Sequence, residues 1–159
     1  MDDMDEFRSY VANLLDWHDA HATFDDAVKG VPFDLQDKVP DGFPYSLWQL
    51  LEHIRLAQYD ILDFCRNPSY KELAWPGDYW PKSPAPPLSS SWKDSVAATR
   101  RDTEELKQLA MNRSVNLLDR VPAGTGQTFL RELLLVADHT AYHVGQMVLV
   151  RRMLGIWKP

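Results

Sequence analysis

Apolar residues recur at spacings of three and four along four stretches of the chain, which is the pattern of amphipathic α-helices. The stretches cover about residues 4–29, 47–66, 92–112 and 128–154. No segment alternates between apolar and polar residues in the way that is typical of a β-strand. The pattern therefore predicts an all-α protein with four helices.

Local signals mark where these helices begin and end. Ser46, followed by Gln49 three residues later, forms a capping-box pattern at the start of the second helix. Pro68 ends that helix, because proline cannot continue a helix and disfavours helical structure in the residue before it. Ser91 is the predicted cap of the third helix, and Gly30 is suited to end the first.

The connection between the second and third helices is long and rich in proline. Residues 67–91 contain six of the eleven prolines, and such connections in compact domains are often crossovers or functional segments. A crossover would let the second and third helices run parallel in a bundle. Trp75, Tyr79 and Trp80 predict that the connection packs against the helices. We therefore predict one domain, residues 1–159, folded as a four-helix bundle with a crossover between helices 2 and 3.

The composition is that of a globular protein, since 45% of the residues are hydrophobic and 25% are charged. The net charge of -6, without a basic cluster, argues against a nucleic-acid partner, because phosphate binding needs a patch of lysine and arginine. The acidic start does not resemble a secretory signal, and no apolar stretch approaches the length that crosses a bilayer. Cys65 is the only cysteine, which excludes an internal disulfide. We expect a cytoplasmic protein without membrane contact.

Three histidines on the predicted helices are candidates for a metal site. His139 and His143 lie four residues apart on the fourth helix, so both imidazoles point to the same side, one turn apart. His53 lies on the apolar face of the second helix. Three neutral imidazoles from two helices can hold a divalent cation and leave positions open for water or substrate. Surface histidines, or buried histidines that bond to neighbouring carbonyls, are the alternative interpretation.

Two further polar residues could belong to the same site. His21 falls within the apolar stripe of the first helix, roughly level with His53 if helices 1 and 2 are antiparallel neighbours. It could be a fourth ligand, a partner of a ligand or a substrate contact, although a hydrogen-bonded core histidine is slightly favoured. Gln146 lies one turn after His143 and could either orient a ligand or bond across the bundle. Cys65 is interpreted as a small core residue.

Two familiar metal-enzyme patterns are absent from the sequence. Thr140 follows His139, so the pair is not an HExxH motif with a glutamate as general base. There is also no set of inward Glu-x-x-His pairs, which a di-iron bundle would need. A general base would have to come from elsewhere, such as water or thiol activated by the cation.

Taken together, these motifs resemble the DinB-like family of four-helix bundles, which includes the YfiT-type proteins. The matching segments are WQLLEHIRLAQ in the second helix and LRELLLVADHTAYHVGQ in the fourth. They place His53, His139, His143, Gly145 and Gln146 on the family's pattern of one histidine followed by H-x-x-x-H-x-G-Q. The helix order and the long connection match as well, so the resemblance spans essentially the whole chain.

The resemblance implies a divalent metal ion held by His53, His139 and His143, usually nickel or zinc. It also implies a homodimer, and an activity that joins a small-molecule thiol to an electrophile or isomerises a substrate with the help of a thiol. The imidazole ligands themselves do not choose between nickel, zinc, iron and manganese. His21 and the aromatic connection are not part of the family pattern.

Three interpretations of the function follow as hypotheses. The leading one is a metal-dependent enzyme of the thiol S-transferase type, with hydrolysis by activated water as a close variant. The alternative is a metal-binding or stress-response bundle without turnover, in which His21 could close the site as a fourth ligand. A helical bundle with buried histidines and a protein partner is the third interpretation.

Overall fold

The computed structural model describes residues 3–158, and this part of the chain is helical, without a β-strand. A single isolated bridge joins Arg120 and Thr128 within it. The prediction of an all-α protein is therefore confirmed. The helices are α1 (Asp3–Leu14), α2 (Phe24–Val28), α3 (Leu47–Arg66), α4 (Ser91–Met111) and α5 (Phe129–Met153), with short 3-10 turns at Phe33–Leu35 and Gly77–Tyr79.

The second helix of the sequence analysis begins and ends where its capping signals predict. The Ser46 side chain accepts a hydrogen bond from the Gln49 backbone, and the Gln49 side chain accepts one from the Ser46 backbone. The prediction for α4 is one residue late, because Ser91 is already helical and its hydroxyl accepts a hydrogen bond from the Leu88 backbone. Ser46 therefore caps α3 through its side chain, whereas Ser90, the N-cap residue of α4, makes no side-chain capping bond.

The predicted first helix, residues 4–29, is wrong as one continuous element. α1 ends at Leu14, and residues 15–23 are not helical. Thr23 then begins α2 through a capping box with Asp26. Within the non-helical segment, Trp17 donates its indole N–H to the carboxylate of Asp19. The apolar spacing continues across the break and hides it.

The core consists of two clusters of buried apolar side chains that share α3 and α5. One cluster lies toward the N-terminal half of α3, and the other lies toward its C-terminal half. Buried members include Leu47, Leu50, Leu51, Ile54, Met147 and Val150 in the first cluster, and Leu62, Leu106, Leu133 and Val136 in the second. His139 and His143 lie on α5 between Val136 of the second cluster and Met147 of the first, where the two apolar clusters meet, and His53 lies beside Ile54 of the first cluster.

Residues 67–90 run back along α3 toward the N-terminal end of that helix. Later residues of the connection bond to earlier residues of α3. In order, Tyr70 and Tyr79 bond to Asp60, the Tyr79 carbonyl to His53, Pro81 to Gln49, and Pro84 to Ser46. Hydrogen bonds also join α3 to α4, and the residue numbers of the bonded pairs rise together along both helices. The pairs are Glu52 with Ser95, Gln58 with Thr99, and Arg66 with Glu105. The connection therefore covers α3 at the level of His53.

A buried arginine ties α1 to the end of α4. Arg8 is 5% exposed, and its guanidinium donates hydrogen bonds to the carbonyl groups of Ala110, Asn112 and Val115. Those carbonyls lie at or beyond the last turn of α4, where the helix itself offers no partner. Arg8 thus satisfies several backbone acceptors at once.

The expectation that no stretch approaches the length of a membrane span is wrong for α5. Within residues 3–158, α5 has 25 residues and is apolar enough to cross a membrane by length and composition. It packs against α3 and α2, however, and its buried face carries Glu132 and His143. These are the properties of a core helix in a soluble bundle.

Candidate metal centre

Three imidazoles from two helices converge beneath the 67–90 connection. His53 comes from the middle of α3, and His139 and His143 come from consecutive turns of α5. Each histidine offers one ring nitrogen, and these three nitrogens lie within 4.8 Å of one another. The Nε2 atoms of His53 and His139 are 3.0 Å apart, close to the roughly 3.4 Å expected for two nitrogens bound about 2.1 Å from one tetrahedral zinc ion. The structure thus brings the three predicted ligands together.

The orientation of His53 is set by a backbone carbonyl. Its Nδ1 lies 2.8 Å from the carbonyl oxygen of Tyr79. A carbonyl oxygen only accepts hydrogen bonds, so Nδ1 carries the proton. Nε2 then has a free lone pair, and this atom faces His139. A ligand histidine in a metal site is normally held by such a bond from its other nitrogen.

His143 is oriented in the same way by a side chain. Its Nδ1 lies 2.7 Å from the amide oxygen of Gln146, so Nδ1 is again the donor and Nε2 is left as a lone-pair nitrogen. The Gln146 amide nitrogen donates in turn to the hydroxyl of Tyr142 at 3.2 Å. Gln146, which the sequence places near the site, therefore contacts a predicted ligand directly.

The contact between His53 and His139 suits a shared cation or proton. The free lone pair of His53 Nε2 points at His139 Nε2 across 3.0 Å. Without metal, His139 must donate an N–H across this gap, because two lone pairs would repel each other. A cation between them would be bound by both nitrogens after His139 moves its proton to Nδ1. The donor set therefore fits a divalent ion.

Burial keeps all three imidazoles neutral at pH 7. Burial, together with the charge that His143 and His53 would carry, lowers the pKa of His139 to about 3. The pKa of His143 falls to about 4, chiefly through burial. Burial also lowers the pKa of His53, although the hydrogen bond to Tyr79 opposes this shift. Neutral imidazole is the form that binds metal, so no proton has to be expelled at neutral pH.

One aromatic ring of the connection covers His53, and a second ring covers the first. Trp80 stacks on the imidazole with ring centroids 3.8 Å apart and planes 7° from parallel. Tyr45 stacks in turn on Trp80, with ring centroids 4.1 Å apart. The sequence predicts that Trp80 packs down but gives no sign of Tyr45 or of the Tyr79 carbonyl. A backbone group in a long connection has no sequence signature, so this part of the site could be found only from the structure.

His21 does not join the cluster, and the basis for placing it there is wrong. Its predicted inward direction assumed a continuous first helix, whereas it lies in the non-helical segment after α1. The side chain is exposed, and its Nδ1 contacts the carbonyl of Ala22. It lines a pocket of about 430 Å³ with Ala137 and Ala141, which lie on the side of α5 opposite to His139.

Two other residues of the sequence analysis have simple surroundings. Nothing lies within 4 Å of the position that a Cβ of Gly145 would take, so close helix packing is not the reason for this glycine. Cys65 is buried on α3, as expected of a small core residue. Burial raises the pKa of its thiol to about 12, and Glu132 adds to the shift.

A helical bundle that holds three neutral, convergent imidazoles defines a class of proteins with a site suited to a divalent metal ion. The model of the DinB superfamily matches residues 16–147 of the chain, and the chain belongs to this superfamily. No curated protein and no solved structure matches the chain.

Proposed function

We propose that this protein is a divalent-metal-dependent enzyme that joins a small thiol to an electrophilic substrate. The observation that supports this most is the cluster of His53, His139 and His143, to which the described residues add no fourth ligand-type side chain. Catalytic metal sites commonly use three protein ligands and keep a position for water or substrate, whereas structural sites are closed by four.

The residues around the cluster would prepare it for this chemistry. A divalent cation supplies the ability to stabilise a thiolate at neutral pH. Tyr79 and Gln146 hold the Nδ1 protons of His53 and His143, so both Nε2 lone pairs stay available. His139 is only half-buried, unlike the other two, so small molecules would approach from its side.

The thiol would come from a separate small molecule. Cys65 is buried, and its pKa of about 12 keeps the thiol protonated at neutral pH. A protonated thiol is a poor nucleophile, because the thiolate is the reactive form. An external thiol is also what the family resemblance implies.

Hydrolysis is the close variant of this proposal. The same open position could take water, whose pKa a bound cation lowers. The metal would be nickel or zinc by family resemblance, and iron or manganese would also accept imidazole ligands. A non-catalytic, four-ligand site is less well supported, because His21 lies outside the cluster and the fourth ligand would have to come from another molecule.

A thiol-transfer assay tests the proposal. Metal-loaded protein is mixed with panels of low-molecular-weight thiols and activated aryl halides or epoxides, and thiol consumption and thioether formation are measured by mass spectrometry. We expect thioether formation above the uncatalysed rate that is lost in His139→Ala and retained in His18→Ala, which changes an exposed histidine. Ester or amide cleavage without thioether would favour the hydrolase variant, and no turnover with either panel would favour a binding role.

A further inference from the structure

We propose that Asp60 positions the metal centre by acting through Tyr79 on His53. The proposal rests on the proposed metal site, and it assigns a role to a buried carboxylate that does not itself contact the three histidines. Asp60 lies on α3, seven residues after His53, which corresponds to about 10 Å along the helix.

Asp60 is a buried acceptor that holds two tyrosines of the 67–90 connection. Its side chain is nine-tenths buried. Tyr79 donates its hydroxyl to Oδ2 at 2.7 Å, and Tyr70 donates to Oδ1 at 2.9 Å. Within residues 3–158, Asp60 forms no ion pair with a basic side chain. The two hydroxyls therefore satisfy a carboxylate that would otherwise be costly to bury.

Tyr79 contacts α3 at two points that lie about two turns apart. Its hydroxyl binds Asp60, while its backbone carbonyl accepts the Nδ1 proton of His53 at 2.8 Å. The next residue, Trp80, stacks on the His53 ring. Two restraints on His53 thus come from a dipeptide that Asp60 anchors. Because His53 and Asp60 share one helix, the anchor and the ligand keep a fixed spacing.

The consequence is a specific ring tautomer and orientation at His53. With the carbonyl in place, His53 carries its proton on Nδ1 and offers Nε2 to the cluster. If the connection loosened, Nδ1 would lose its acceptor, and the ring could rotate or move its proton to Nε2. Partners of this kind commonly change metal affinity 10-fold to 100-fold when they are removed.

Tyr79→Phe and Tyr70→Phe form a matched pair of test variants. Each removes one hydroxyl that binds Asp60, but only Tyr79 also carries the carbonyl that holds His53. A positioning role predicts that Tyr79→Phe perturbs the metal centre, whereas Tyr70→Phe leaves it nearly unchanged even if both lose similar stability. Tyr59→Phe, at an exposed tyrosine of the same helix, controls for the substitution itself.

Two readouts are measured on the full chain, with circular dichroism and thermal unfolding as checks of folding. The first is the His53 tautomer in chelator-treated protein, from long-range ¹H–¹⁵N spectra of the imidazoles. The second is Co²⁺ affinity and the visible spectrum of the Co²⁺ form. For Tyr79→Phe we expect a mixed His53 tautomer and Co²⁺ binding about 10-fold weaker, with an altered spectrum.

The readouts separate this proposal from the proposed function. The tautomer is measured without metal, so it tests the role of Asp60 and Tyr79 even if the wild-type protein binds no Co²⁺. An unchanged His53 tautomer in folded Tyr79→Phe would overturn the proposal. Equal changes in Tyr70→Phe and Tyr79→Phe would also overturn it, since they would indicate a general loosening of the connection. Asp60→Asn is expected to reproduce the Tyr79→Phe spectrum if it folds.

Discussion

At the scale of single residues, the candidate site depends on which nitrogen of each imidazole carries the proton. His53 and His143 are both fixed through Nδ1, one by a carbonyl of the connection and the other by Gln146. The sequence predicts the three histidines because their spacing and apolar neighbours follow from helix geometry. It predicts Gln146 as a neighbour for the same reason, one turn away on α5. It cannot predict the Tyr79 carbonyl, which reaches His53 only through the path of a long connection.

Gln146 tests the importance of the proton on His143 Nδ1. In Gln146→Leu this nitrogen loses its acceptor, so we expect metal affinity to fall about 10-fold, whereas Gln146→Glu keeps an acceptor and should bind metal at least as tightly as the wild type. Competition with a metal-sensitive dye gives both dissociation constants. Equal affinity of the leucine variant and the wild type would show that the hydrogen bond does not orient a ligand.

The lowered pKa values of the histidines predict how the stability of the metal-free protein depends on pH. Above the unfolded value of about 6.5, the imidazoles are neutral in both states and contribute no pH dependence. As the pH falls from there toward the folded values, about 4 for His143 and 3 for His139, the unfolded chain binds more protons and the free energy of unfolding falls. Each histidine contributes a slope of up to ~1.4 kcal/mol per pH unit.

Urea unfolding with chelator at pH 7 and pH 5 measures this slope. We expect the wild type to lose more stability between these values than His143→Gln, which lacks one titrating group. The carboxylates are common to both proteins, so the difference isolates the histidine. An equal loss in both proteins would mean that His143 is not held neutral by burial.

At the scale of elements, the sequence predicts the start of α3 because a local cap marks it. Ser46, the N-cap residue of α3, and Gln49 form reciprocal hydrogen bonds that can be recognised from their spacing of three residues. The apolar pattern does not reveal the break after α1, because Phe24 and Val28 continue the apolar spacing beyond it. Thr23 and Asp26 form a capping box that is visible in the sequence, so this pattern was the available signal against one long helix.

Arg8 provides a prediction about how the elements are held together. In Arg8→Met, the carbonyls of Ala110, Asn112 and Val115 lose their donor, so we expect a loss of about 2–4 kcal/mol in the free energy of unfolding. Arg100→Met, which breaks the exposed ion pair with Asp25, should cost less than about 1 kcal/mol. Chemical denaturation measures both variants. Similar small losses would contradict the structural role of Arg8.

At the scale of the whole molecule, α5 presents a polar cluster on one side and an apolar surface on another. The exposed side of α5 flanks the histidines and is open beside Gly145. Its large exposed apolar side chains are Leu134 (43% exposed), Tyr142 (64%), Leu149 (47%) and Met153 (45%). Exposed apolar side chains grouped on one side of a helix often mark a protein interface.

We therefore propose that this surface of α5 forms the homodimer interface that the family resemblance implies. Light scattering after size exclusion should give twice the chain mass of 18.3 kDa, and Leu149→Glu should reduce it to the mass of one chain. Leu88→Glu, at an exposed leucine of the connection, is the control and should leave the dimer intact. A wild-type mass of one chain at micromolar concentration would contradict the proposal.

The central claim is that His53, His139 and His143 bind one divalent metal ion, and elemental analysis tests it most directly. Untagged protein purified without chelator is compared with His53→Ala, His139→Ala and His143→Ala, with His18→Ala as the exposed control. We predict about one ion per chain in the wild type and in His18→Ala, and most of the metal lost in each of the other three. Metal retained in full by any of those three variants, or no metal in the wild type even after addition of zinc or nickel, would contradict the account.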